Sequence, residues 1–218
     1  MATHSSSQLL IELPFLPCLD FFAGMLIHDE ILIEGHENYQ KQSYRNRCYV
    51  LTANKIDCLT VPTRHSRSGG AGNHLPIRDV QIDNNVAWQN RHWRCLESAY
   101  RKAPFFEHYA PDFEAVYRRN WVYLFDLSLE MLTICRQMLG IKTPLTLTEW
   151  YQKEPPVGVF DARSIMNTRN RDESHLFYRP EPYMQNFGPQ FVHNLSIIDL
   201  LFCAGPEARK ILSECAIE

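Results

Sequence analysis

Apolar and polar positions alternate in short runs over the first third of the chain. Residues Leu9 to Leu13 predict a strand, and Pro14 and Pro17 punctuate a turn behind it. Leu19, Phe21, Phe22, Met25 and Leu26 then follow at helical spacing, and Glu30 to Glu34 predicts a second strand. Strand, helix and strand in so short a stretch imply a βαβ unit with parallel strands. Cys48 to Leu51 and Ile56 to Val61 predict a hairpin turning at Ala53-Asn54-Lys55, and the alternation over Ile77 to Ile82 predicts one more half-buried strand.

The second half changes period. Trp88, His92, Cys95, Leu96 and Ala99 share a helical face that runs to Tyr100. Pro104 opens a second helical stretch to about Arg118, and Trp121 to Leu139 is a third, stopped by Gly140. Pro144 to Leu147 reads as a short strand. Ser196 to Cys203 is an apolar helix with Asn194 or Ser196 as its cap, and Glu207 to Cys215 closes the chain as a last helix after Gly205-Pro206. The fold class is α/β, an N-terminal βαβ-type sheet with a mostly helical second half. We expect a single domain over 8–218, with 1–7 disordered, 64–74 a mobile loop and 152–182 an irregular, lid-like segment.

An apolar share of 45% over 218 residues fills a core of that size. A net charge of -3 argues against a nucleic-acid binder, which carries a basic excess. The 7 cysteines form no CxxC pair, so we expect reduced thiols in a cytoplasmic protein. The N-terminus lacks a basic leader, and its apolar run is broken by Glu12, Pro14, Pro17 and Asp20, so neither a signal peptide nor a membrane span is expected. No P-loop, GxSxG, HExxH or GxGxxG occurs; Gly69-Gly70-Ala71-Gly72 lacks the Lys-Ser/Thr of a Walker motif.

The densest candidate chemistry is the polar stretch His36 to Arg47 behind the second strand, with Tyr39, Lys41, Arg45, Asn46 and Arg47. In a parallel sheet ligands sit at the C-terminal strand ends, which places Pro14–Pro17 beside Glu34–Lys41. Lys41, Arg45 and Arg47 are candidates to hold an anionic small molecule (a phosphate, nucleotide or sugar nucleotide), with Tyr39 beside them and Asn46 orienting it. Glu34 and His36 project to one face and are candidates for acid–base work, with a metal the lesser alternative, a structural hydrogen-bond network the other, and the cofactor left open. Tyr100 and Arg101 are candidates to line the cleft, and Asn194 to complete an anion site at a helix N-terminus. Asp199, inside an apolar helix, needs an internal partner, for which Arg45, Arg47 and Arg101 are the candidates.

Several blocks together resemble the WbqC-like proteins. They are Leu13-Pro-Phe-Leu-Pro, Asp29-Glu, Tyr39-Gln-Lys-Gln-Ser-Tyr-Arg-Asn-Arg, Leu59-Thr-Val-Pro, Ile77-Arg-Asp-Val and Ala99-Tyr-Arg-Lys-Ala-Pro-Phe-Phe-Glu. Asn194-Leu-Ser-Ile-Ile-Asp-Leu-Leu-Phe with Gly205-Pro206 completes the pattern over about 9–210. The resemblance implies a bacterial protein of surface-polysaccharide (O-antigen) biosynthesis and an acyl-, aminoacyl- (glycyl-) or nucleotidyl-transferase. The alternative is a noncatalytic nucleotide- or sugar-binding protein. The chain lacks the Tyr-Leu-Ser-Gly type segment that longer members carry between 152 and 182.

Overall fold

The computed structural model describes residues 8–64, 75–166, 168 and 175–217. The expectations for 1–7, and for all but the first residue of 64–74, fall outside these. The βαβ opening forms as β1 (Gln8–Glu12), α1 (Leu19–Ile27) and β2 (Glu30–Glu34), with β1 and β2 parallel and Glu12 paired in register with Glu34. A hairpin of β3 (Arg47–Leu51) and β4 (Ile56–Thr60) follows as a separate antiparallel pair. The helices are α2 (Trp88–Tyr100), α3 (Phe106–Arg118), α4 (Leu124–Met138), α5 (Ile197–Ala204) and α6 (Ala208–Cys215). Between α4 and α5 lie β5 (Leu145–Leu147) and β6 (Val159–Asp161).

The main sheet has the order β5-β2-β1-β6, and every pairing in it is parallel. Leu9, Ile11, Ile31 and Ile33 form one face, fully buried in the core with α1. Gln8, Leu10, Glu12, Glu30, Leu32, Glu34, Thr146 and Asp161 form the other, as the parallel registers require. All four strands end at one edge, and that edge gathers the polar chemistry.

Two local expectations are corrected. Ile77 to Ile82 is not a strand. Ile77–Asp79 is a 3-10 turn, and only single bridges at Gln81 and Ile82 follow. Alternating burial of Ile77, Val80 and Ile82 does not demand pairing, because a turn and an extended tail bury the same residues. The irregular reading of 152–182 missed β6, which pairs with the sheet's interior strand β1. With Pro155, Pro156 and Gly158 just before it, so short a strand leaves no periodic signal.

Asn194 does not cap α5. Its Oδ1 accepts the backbone N–H of Asp20 at 3.1 Å and so caps α1 from across the molecule. The Asp20 carboxylate in turn accepts the N–H groups of Leu176 (3.0 Å) and Phe177 (2.7 Å). These contacts occupy the α1 N-terminus, the place an anion would take in a βαβ nucleotide fold. All 7 cysteines are free thiols, and burial pushes Cys18 up to about 12.

Candidate functional site at the strand ends

Glu12 and Glu34 end neighbouring strands side by side, a placement that repels unless each carboxylate finds its own cation. Arg45 approaches Glu12 at 3.5 Å and grips Glu37 through Nε at 2.6 Å and Nη2 at 2.5 Å. Arg163, from the turn after β6, reaches Glu34 at 2.9 Å and Asp161 at 2.9 and 2.8 Å. Its guanidinium lies 4.9 Å over the Tyr151 ring. Burial raises the Glu12 carboxyl above its ordinary value against the pull of Arg45, whereas the Arg163 hydrogen bond holds Asp161 below its own. Four carboxylates thus meet two guanidiniums, and the cluster is net acidic.

Around Glu34 the contacts are directional. Its Oε1 accepts the backbone N–H of His36 at 2.8 Å and the Thr148 hydroxyl at 2.9 Å. The His36 ring contributes Nε2, 3.0 Å from the Thr148 carbonyl oxygen. A carbonyl only accepts, so Nε2 carries the hydrogen, and in the neutral ring Nδ1 keeps its lone pair. Glu34 therefore holds His36 by its backbone and not by its imidazole. Ser164 sits beside them with φ 62, its N–H on Glu12 at 2.8 Å and its hydroxyl contacted by Gln40 (3.0 Å) and Arg45 (3.3 Å).

A pocket of about 240 Å³ opens on the polar face of the sheet. Leu10 and Leu32 floor it, Glu34 and Thr148 close one end, and Trp150, Pro155 and Pro156 wall it. Trp150 is 57% exposed.

The strand-end expectation thus brings together Glu34 and His36, and with them residues missed from sequence: Glu12, Glu37, Thr148, Trp150 and Arg163. Arg45 is there too, but 2% exposed and spent on Glu12 and Glu37, and the remaining expected residues are elsewhere. Lys41 is exposed. Tyr39 is buried beside Thr63, and burial raises its phenol. Asn46 donates to the Val61 carbonyl at 3.0 Å and fixes the start of the hairpin. Arg47 is half-buried at the start of β3. The three cations therefore form no common cradle. Tyr100 is buried and donates to Asp199 at 2.9 Å, and Arg101 lies on an exposed groove at the end of α2. Asp199 has its internal partners, and among the described residues none is a cation. Tyr183 donates at 2.6 Å and Gln185 at 2.9 Å beside Tyr100. Among the described residues no group of three His, Cys, Asp or Glu side chains is placed to hold a metal.

The WbqC-like protein family model matches residues 14–157 and 168–211. The chain belongs to the WbqC-like protein family. It is 26% identical over 230 residues to the uncharacterised protein Rv1507c of Mycobacterium tuberculosis, a match that covers 94% of this chain and 97% of that one. No solved structure matches at a significant level. Both long motifs that carry the family resemblance have a structural reading. The Tyr39–Arg47 block delivers Arg45 to Glu12 and Glu37, and the Asn194–Phe202 block delivers the α1 cap and Asp199. Among the described residues no helix is long and apolar enough to cross a membrane.

Proposed function

We propose that this WbqC-like chain binds a sugar at the strand ends and transfers an acyl or aminoacyl group to one of its hydroxyls, in surface-polysaccharide biosynthesis. The observation that carries the reading is the pocket between Trp150 and Glu34, with His36 anchored at its Thr148 rim. An exposed indole offers the apolar face on which a sugar ring stacks. The net acidic cluster favours hydrogen-bond donors over phosphates. At about 240 Å³ the pocket suits one sugar ring more than a nucleotide sugar, which fits sites of roughly 300–1,000 Å³.

In this reading His36 Nδ1 takes the proton of the sugar hydroxyl as its oxygen bonds to the acyl carbon. The bond from that carbon to its leaving group breaks, and the proton passes to the leaving group. Glu34 is a positioning residue, held from the turn after β6 by Arg163. The competing reading, recognition without turnover, is favoured by Arg45 itself, whose charge is consumed by Glu12 and Glu37.

Calorimetric titration with a panel of free sugars tests the binding half. Trp150→Ala is expected to weaken binding about tenfold, as loss of a stacked aromatic does. Single-turnover assays with activated acyl and aminoacyl donors test the chemistry. His36→Gln keeps sugar affinity and loses transfer if the base assignment is right. Sugar binding untouched by Trp150→Ala refutes the site, and transfer surviving in His36→Gln refutes the base.

A further inference from the structure

A second pocket lies away from the strand ends. A groove of about 460 Å³ runs between the last turn of α2, the β3–β4 turn and the segment after Tyr183, lined by Ala53, Glu97, Arg101, Lys102, Asn186 and Phe187. Cations at a helix C-terminus are expected from the helix dipole alone. Three further observations set this pair apart. Arg101 and Lys102 are both exposed and make no ion pair among the described residues, so their charge is uncommitted. They face a cavity of ligand size, with the half-buried Phe187 ring in its wall.

That wall is also built from below. Asn186 donates to the Ala99 carbonyl at 2.5 Å and ties the segment to the end of α2. Gln185 brackets the Val192 backbone, accepting its N–H and donating to its carbonyl, both at 2.8 Å. Tyr183 and Gln185 both donate to Asp199, a carboxylate with no exposure at all. Burying a carboxylate with no cation is costly, and packing alone does not call for it. Here it locks the segment that walls the groove, the support a preformed binding site requires.

We infer that this groove binds a phosphate ester carrying a flat ring, with Arg101 and Lys102 on the phosphate and Phe187 against the ring. The Arg101 fork suits phosphate oxygens, Lys102 adds a point charge, and among the described lining residues the opposing group is the Glu97 carboxylate. The site is separate from the sugar pocket and does not depend on its assignment.

The test titrates AMP, adenosine and inorganic phosphate into the full chain, read by calorimetry and thermal shift. The proteins are wild type, Arg101→Ala/Lys102→Ala, and a charge-matched Lys142→Ala/Lys210→Ala control at two exposed lysines. AMP is expected to bind more tightly than either half, and the Arg101/Lys102 variant to weaken it by about tenfold or more, as loss of charge-assisted contacts does. The variant's own melting temperature stays that of wild type, since both side chains are exposed. No AMP binding by wild type, or equal binding by the Arg101/Lys102 variant, overturns the site. An equal loss in the control reduces it to nonspecific charge. Adenosine as strong as AMP overturns the phosphate contact, and phosphate as strong as AMP overturns the ring contact.

Discussion

Two buried carboxylate clusters solve the same problem differently. At the strand ends, Glu12 and Glu37 are matched by the buried Arg45 guanidinium. In α5, Asp199 is equally buried yet receives, among the described residues, two phenols and one amide. The first cluster holds its charges by ion pairing and needs the cation present. The second spreads hydrogen-bond donors around a carboxyl whose affinity for a proton burial has raised. The ionic cluster should therefore break sharply when a partner is removed, and the one built on neutral donors should yield by degrees.

Arg45→Met gives the largest effect. It strands two buried carboxylates, and removing one partner of a buried pair costs about 3–5 kcal/mol. Urea unfolding should show this loss, and a change under about 1 kcal/mol would erase the distinction between the clusters.

Asp199→Asn is next, at about 1–3 kcal/mol, because the new amide nitrogen turns a donor toward donors. Its pH dependence sharpens the comparison. The folded carboxyl titrates above its ordinary 3.8 because of burial, so the native state holds this proton more tightly than the unfolded chain does. The stability from this group is full below the unfolded value and fades as pH rises through the folded one. The gap in unfolding free energy between wild type and Asp199→Asn should narrow over that rise. A gap that stays constant or widens contradicts a raised carboxyl.

Tyr183→Phe is the mildest, about 1 kcal/mol for one lost hydrogen bond, since Gln185 still donates to the same oxygen. Hydrogen exchange should quicken in 183–192 while the strands keep their protection. Uniform loss of protection would show that the segment is part of the core and not a wall held against it.

The opening βαβ was legible because β1 and β2 show their apolar faces at period two and α1 at helical spacing. The strand-end location followed from that topology. What sequence hid was direction. The polar density of His36–Arg47 looked like a surface, yet Arg45 turns inward because Glu12 and Glu37 wait there. Arg163 escaped notice because it stands 129 positions from Glu34 and follows a strand with no periodic signature. Carboxylates at the ends of adjacent strands were the available clue that a second arginine was needed. The demand of Asp199 for a partner was readable, but its identity was not, since a buried carboxyl is satisfied by neutral donors as well as by a cation.

The α1 cap has a consequence for how the protein is made. Asn194 stands 174 positions from the Asp20 N–H it receives, and β1 awaits β6 for its second neighbour. As the chain leaves the ribosome, its first strand–helix–strand unit therefore emerges with an open sheet edge and an unfinished helix start. Contacts of such span close late and slowly. The open edges of that unit close only once β5 and β6 have been made, and its helix start only once Asn194 has followed them.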